Sequence, residues 1–405
     1  FLLSSTVVYG YVPEPESSGK YFTSKGTPAS ETYEHSAGMP TYDYGKGIQW
    51  GPVHLKPNVR YDAVWSDNIF YEDTNPQEDF VHRLTGELLA ELPLSGGQHL
   101  LSGSYGVMSE WFDEFDAQDH TDHKGTIGLN LNYVPFTLDV ENTYEITVSR
   151  ANTEFTERVQ RDENAFHSLL EVPFASFFLE NEITDFDISY DREVHKIFDH
   201  NLFTVYQRVG YDMTPNTQLL GEYAFINIDY DSTLTGERDG NGHQGMVGLR
   251  GKFTERVAYQ IWGGMQDRQY DDDSRPDFSD FVTRGALQWD PSETNRFTLR
   301  GDRTPQESTF DGQSFYTRHR AELNWRHQLA ERWFVNTRGM VSFNEYSRNT
   351  VRVLSNENLT REDWNWDAGT GIEYRMPNDI ISFILDYRFG ARESNLAGLD
   401  YEVNE

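Results

Sequence analysis

A membrane-spanning antiparallel up-and-down β-barrel of about 18 strands is the all-β fold class this sequence predicts. Three observations predict it. Hairpin turns recur about every 40 residues, near Ser95, Pro135, Phe174, Pro215, Thr254, Ser292, Ala330 and Pro377. The stretches they join alternate apolar and polar residues, the period of a strand with one apolar face. At the opposite ends lie longer connections crowded with Asp, Asn, Gly, Ser and Arg, such as Asp113–His123, Asn152–Asn164, Asp267–Asp280 and Ser347–Asp363. Tight turns at one end and long polar loops at the other are the asymmetry of outer-membrane barrels, whose turns face the periplasm and whose loops face outward.

Each element follows from the same alternation. The first strand is expected near Val53 to Trp65. Further on, Leu138, Val140, Tyr144, Ile146 and Val148 oppose Asp139, Glu141, Thr143, Glu145 and Thr147. Leu323 and Trp325 oppose Arg318, Arg320, Glu322, Asn324 and Arg326, and Trp333, Val335, Val341 and Phe343 oppose Asn336, Arg338, Ser342 and Asn344. Ile381, Phe383, Leu385, Tyr387 and Phe389 oppose Ser382, Asp386 and Arg388. Phe177 to Tyr190 and Leu219 to Tyr230 carry apolar residues on both parities, which leaves their facing open.

One opening strand and eight turn-linked pairs make 17 visible strands, and the tail Glu393 to Glu405 reads as one more long loop. Single-chain barrels of this kind normally have an even count. The closing strand is therefore expected from beyond this segment or from its N-terminal part. Residues 1–46, rich in Gly, Pro, Ser and Tyr, read as a periplasmic arm or small plug, and residues 47–405 as the barrel.

Composition narrows the function. A formal charge of -32 argues against a nucleic-acid partner, which would need a basic face. No run of 18 apolar residues is present, so no transmembrane helix is expected. Aromatic residues make up 14% of the chain, as expected of belts at both membrane interfaces. The absence of cysteine removes disulfides and thiolate metal sites. The start at Phe1 fits a mature envelope protein whose signal peptide has been removed. A repeat near 40 residues also suits a propeller, but each unit here holds two long strands rather than four short ones.

The cluster Asp116, Asp119, His120, Asp122, His123 has metal-ligating residue types; a solvated loop is the plainer reading, with divalent cations at the acidic extracellular loops as the alternative and no cofactor expected. No nucleophile-elbow motif or phosphate loop occurs, so no enzyme is expected. The polar parity is more telling. Arg284, Arg300, Arg318, Arg320, Arg338 and Arg388 share it in the C-terminal third, and Asp139, Glu141 and Glu145 share it nearer the N-terminus. In an 18-stranded ring these walls face each other across water, where such a field selects permeants. Lateral pairing with Asp302, Glu322, Glu373 and Asp386 is the competing reading. Arg318, Arg320 and Arg338 are expected to favour anions, and Trp262 and Tyr206 to offer stacking faces for sugars.

Leu55-Lys56-Pro57-Asn58-Val59 through Ser66-Asp67-Asn68-Ile69-Phe70 resembles the opening of members of the second putative β-barrel porin family. Leu88 to Leu101, with Leu92-Pro93-Leu94 and a glycine-containing turn, resembles their next hairpin, and the hairpin pattern extends the likeness over roughly residues 50–400. The resemblance implies an outer-membrane step in exopolysaccharide export from a Gram-negative cell, with periplasmic export proteins as partners. The missing final strand departs from the family pattern. Outer-membrane lipid, lipopolysaccharide and a polysaccharide or small hydrophilic solute are the expected contacts. A general diffusion porin and a structural or adhesive surface barrel are the alternatives.

Overall fold

A computed structural model describes residues 3–4, 47–150, 154, 157–231, 238–310, 313–352, 357–376 and 381–405. The chain forms β1 (Val53–Ser66), β2 (Asp79–Leu94), β3 (His99–Phe112), β4 (His120–Tyr133), β5 (Phe136–Thr147) and β6 (Arg161–Phe174). It continues with β7 (Phe177–Tyr190), β8 (His200–Thr214), β9 (Thr217–Tyr230), β10 (Gly240–Thr254), β11 (Val257–Tyr270) and β12 (Phe278–Ser292). The last third holds β13 (Asn295–Glu307), β14 (Phe315–Ala330), β15 (Trp333–Arg352), β16 (Glu357–Arg375), β17 (Ser382–Ser394) and β18 (Tyr401–Asn404). Each pairs antiparallel with its successor. Two short segments add to β1: Ile48–Trp50 folds antiparallel onto Val53–Leu55, and Leu3–Ser4 runs parallel to Val59–Arg60.

The tight turns fall where the alternation breaks. Between β2 and β3, Gly96 and Gly97 take φ of 72° and 93°, a left-handed backbone open to glycine at little cost. The turn expected at Pro377 lies outside the described residues. At the other end the strands run further than expected. His120 to His123 belong to β4, and the connection expected over Ser347–Asp363 is largely strand, with Asn349 paired to Thr360 and Arg352 to Glu357.

The tail is also corrected. Its last part is β18, paired with Phe389–Arg392 of β17, and the two edges of the meander meet there. The Asp67 N–H donates to the Asn404 carbonyl at 3.2 Å, and the Asn404 N–H returns a bond to the Asp67 carboxylate at 2.7 Å. The Asn68 amide donates to the Glu402 carbonyl at 2.8 Å. These bonds satisfy edge groups that a sheet otherwise leaves open.

One face of the sheet is apolar and exposed, carrying Tyr61, Leu84, Ile127, Leu179, Val247, Ile261, Leu299, Leu323 and Leu385. The other turns inward and is polar. Among the described residues no helix is long and apolar enough to cross a membrane; the strands, mostly 12–16 residues long, suffice, since about 9–11 tilted residues span the hydrocarbon. The strands left open by the sequence resolve here. In β7 the inward set is Phe178, Glu180, Glu182, Phe186, Ile188 and Tyr190, and in β9 it is Leu220, Glu222, Ala224, Ile226, Ile228 and Tyr230. Both strands are apolar on both faces because their inward side packs against other side chains instead of meeting water.

Candidate functional site

The interior is not uniform. Along β7–β12 inward side chains are buried and interlocked, both between neighbouring strands and across strands that are not neighbours. Arg208 on β8 meets Glu182 at 2.6 Å and Glu222 at 2.5 Å. Glu222 also takes Arg284 from β12 at 2.6 Å, and Glu180 takes Arg250 from β10 at 3.1 Å. Glu307 gathers Arg268 and the hydroxyls of Tyr230 and Tyr270. Beside these pairs sits an apolar cluster of Leu220, Met246, Trp262, Tyr270, Phe278, Val282 and Phe315. Glycines admit the large rings. A Cβ on Gly248 would lie 2.6 Å from the Trp262 ring and 2.8 Å from the Ile261 carbonyl, and one on Gly210 would enter the Phe178 ring.

The predicted arginine wall lies in and beside this region, and every member faces a carboxylate. Arg318 and Arg320 share Asp302 at 3.1 and 2.9 Å. Arg284 meets Glu222. Arg300 stands 3.8 Å from Glu322, and Arg338 lies 3.6 Å from Glu322 and 3.9 Å from Asp367. Arg388 binds Asp367 and approaches Glu405 at 3.9 Å. Of the four carboxylates expected beside them, Asp302 and Glu322 serve, whereas Glu373 bonds Arg375 at 2.5 Å. Paired charges cancel at a distance, so this wall projects far less positive field than six lone arginines would.

β2–β5 differ. Near the loops Arg83 and Glu110 are buried and paired beside Val81 and Phe112, but further down the strands the inward residues are small or flexible and half-buried: Thr85, Glu87, Ser102, Ser104, Thr126, Thr143 and Glu145. Thr126 and Thr143 share a hydrogen bond of 3.0 Å. Of the predicted acids, Asp139 accepts from the Asn130 amide, and Glu145 lies 3.4 Å from Lys124. Glu141 is exposed to the interior, and no described residue forms an ion pair with it. Glu141 therefore adds an uncompensated negative charge to this side.

A loop adds an element absent from sequence reasoning. Three described residues of the connection between β5 and β6 reach both sides of the mouth. Arg150 stacks on Tyr71 at 3.9 Å and on Tyr401 at 5.1 Å. Arg158 lies over Phe112 and bonds Glu110 at 2.5 Å. Glu154 reaches the far wall. It accepts from the Ser308 hydroxyl at 2.7 Å and the Thr309 N–H at 2.6 Å, and stands 3.9 Å from Arg361. Arg361 is fully buried between Phe310 and Tyr346. The only sequence signal was an acid within a loop, and nothing there marks its distant partners.

Other candidates disperse. His120 and Asp122 point inward, with Asp122 accepting from the Thr147 hydroxyl and the Val148 N–H. His123 points outward to Tyr105, and Asp119 caps the Phe112 N–H. Successive strand residues take opposite faces, which parts His123 from Asp122. Among the described residues no three His, Asp or Glu side chains are grouped to hold a metal ion. Trp262 and Tyr206 are only 1% and 5% exposed, and their rings lie beneath Arg284 and Arg208. Buried under guanidinium groups, they offer no face to a sugar.

An apolar outer face, a charged interior and an antiparallel meander with its short turns at one end define an outer-membrane β-barrel of the porin class. More particularly, the chain belongs to the family described as putative beta-barrel porin 2, which matches residues 191–405. Its place is the outer membrane of a Gram-negative bacterium. Among solved structures the chain is similar to OccAB3 of Acinetobacter baumannii, at 8% identity and a TM-score of 0.43, covering 87% of this chain and 96% of that one. It is also similar to a BenF-like porin from Pseudomonas fluorescens Pf-5, at 8% identity and a TM-score of 0.47, with the same coverage. OpdK of Pseudomonas aeruginosa shares 10% identity with a TM-score of 0.44, covering 87% and 95%. No curated protein matches the chain.

Proposed function

We propose that the protein is a passive pore for small hydrophilic solutes, with no catalytic step of its own. The unequal interior carries this reading. The packed side along β7–β12 gives the barrel a rigid flank, which leaves a solvated path beside β2–β5. Fixed charges on that path set its selectivity. Asp139, Glu141 and Glu145 act on the open side, while Arg284, Arg300, Arg318, Arg320, Arg338 and Arg388 act as paired charges that shape the far side. The path then prefers cations, the reverse of what an unpaired arginine wall would give.

Purified protein in a planar bilayer under a salt gradient tests this. A reversal potential of cation-selective sign is expected, reduced by Glu141→Gln together with Glu145→Gln. Conductance no greater than that of bare lipid would sink the pore itself; anion selectivity would sink only the sign.

Exopolysaccharide export is the second reading, and the likeness of Leu55–Phe70 to the family's opening strand favours it. Against it stands Glu154, anchored across the mouth that a polymer must pass. A deletion strain decides between them. Loss of secreted polysaccharide, restored by the wild-type gene, selects export; unchanged secretion with slower small-solute uptake selects the pore.

A further inference from the structure

The lipid-facing wall carries an uninterrupted apolar band on most strands, but not on β7 and β8. From the turns upward, the outward side chains of β8 run Tyr211, Val209, Gln207, Val205 and Phe203. Those of β7 run Phe177, Leu179, Asn181 and Ile183. Tyr211 packs against Phe177 with ring centroids 4.8 Å apart, which marks the turn-side aromatic belt, and Phe203 marks the belt on the loop side. Gln207 stands four residues from Tyr211 and four from Phe203, midway between the belts. Asn181 is its direct partner across the β7–β8 ladder. Two primary amides thus lie side by side at hydrocarbon depth.

Other outward polar groups are answered within the wall. Thr337 and Thr370 share a hydrogen bond of 2.9 Å, Asn142 donates to Asn164 at 3.0 Å, and Asn201 donates to Asp185 at 2.7 Å. Among the described residues no side-chain hydrogen bond reaches Asn181 or Gln207. Tyr223, the neighbour of Gln207 on β9, has its hydroxyl engaged by His243 Nδ1 at 2.7 Å. A primary amide carries two donors and an acceptor oxygen with two lone pairs. A bond between the two amides would therefore still leave donors and acceptors facing outward. Lipid tails answer none of them, and a polar group held in hydrocarbon without a partner is costly. Gln207 is exposed and Asn181 half-buried, so both are open to whatever covers this wall.

We propose that the outward face of β7 and β8 is an interface between two copies of this chain. A two-fold axis along the membrane normal sets Asn181 of one copy against Gln207 of the other, and the reverse. Each amide both donates and accepts, so the patch complements itself under that rotation. Hydrogen bonds between polar side chains of neighbouring segments join proteins within a bilayer. Leu179, Ile183, Val205 and Val209 frame the amides and keep lipid from them. The inference rests on the outer-membrane location and stands apart from any pore activity.

The full-length protein, purified in detergent, should be dimeric by native mass spectrometry. Crosslinking in cells locates the contact, because the chain has no native cysteine. Copies carrying Asn181→Cys and Gln207→Cys, tagged differently and expressed together, should form a mixed disulfide dimer on oxidation. Leu385→Cys, nine strands away on β17, should remain monomeric. Asn181→Leu combined with Gln207→Leu separates an interface from a lipid-covered wall. At an interface the pair should dissociate about tenfold more readily, the loss that two hydrogen bonds explain. On a lipid-covered wall the exchange instead raises folded yield and leaves the oligomeric state unchanged. A monomeric wild type overturns the proposal, and that arm needs no variant to fold. So does a mixed disulfide no more abundant than the Leu385→Cys background, or a folded double-leucine variant, judged by heat-modifiable gel mobility, that pairs as tightly as the wild type.

Discussion

The wall formed by β7–β12 and the wall formed by β2–β5 share strand length, alternation and lipid-facing chemistry, yet through their middle and turn-side halves the inward faces are built on opposite principles. The first buries Arg208, Arg250 and Arg284 among Glu180, Glu182 and Glu222, with aromatic rings seated on glycines. The second presents Ser102, Ser104, Thr126 and Thr143, half-open to water. A barrel of about 18 strands is wider than its own side chains can fill. Filling one flank and leaving the other open would, on the proposed reading, give a rigid body with a narrow, off-centre path.

The sharpest way to break that comparison is to remove the hub of the packed wall. Glu222→Ala leaves Arg284 without its carboxylate, while Arg208 keeps Glu182. One orphaned buried charge costs roughly 3–5 kcal/mol, so urea unfolding from vesicles should show a loss of that order. If the loss is under about 1 kcal/mol, the usual worth of an exposed ion pair, the wall is wetter than its burial implies.

The outer face should ignore the distinction. Val247 on β10 and Ile127 on β4 are both exposed at mid-strand. An arginine at either position costs roughly 2–4 kcal/mol at the bilayer midplane. Comparable losses in folded yield are expected for Val247→Arg and Ile127→Arg; a large inequality would show that interior packing props up the lipid face.

Glycine separates the walls again. On Gly248 any Cβ meets Trp262 and the Ile261 carbonyl, whereas on Gly106 the nearest atom is 3.8 Å away. Overpacking costs typically about 1–3 kcal/mol. Gly248→Val should therefore destabilise by that much in urea titrations, and Gly106→Ala by a few tenths at most.

Much of this architecture was legible in the sequence because it follows from local rules. Strand period, turn residues and loop composition placed 17 strands, and parity put Arg318, Arg320 and Arg338 inside. What stayed hidden depends on contacts between distant segments. The facing of β7 and β9 was ambiguous because Phe186, Ile188, Ile226 and Ile228 are apolar for inner packing rather than for lipid. Arg284 finds Glu222 three strands away, a partner that no spacing reveals. Glu154 was one acid in a loop until Ser308 and Thr309 gave it an address.

The smallest effect on stability carries the largest functional weight. Glu141 is exposed to the interior on the open wall, so Glu141→Gln breaks no buried pair and should leave stability within about 0.5 kcal/mol, as surface changes usually do. Its charge nevertheless faces permeating ions across a path bounded by low-dielectric protein, where one fixed charge acts more strongly than in bulk water. The expected outcome is unchanged unfolding and gel mobility with a reversal potential displaced towards zero. The displacement should shrink as salt rises from 0.1 to 1 M, because the screening length falls from about 10 Å to 3 Å. Glu222→Gln offers the contrast: a folding defect, with little change of selectivity in whatever protein still folds. Should the two variants trade phenotypes, the conducting path runs beside β7–β12 and the two walls have been assigned the wrong way round.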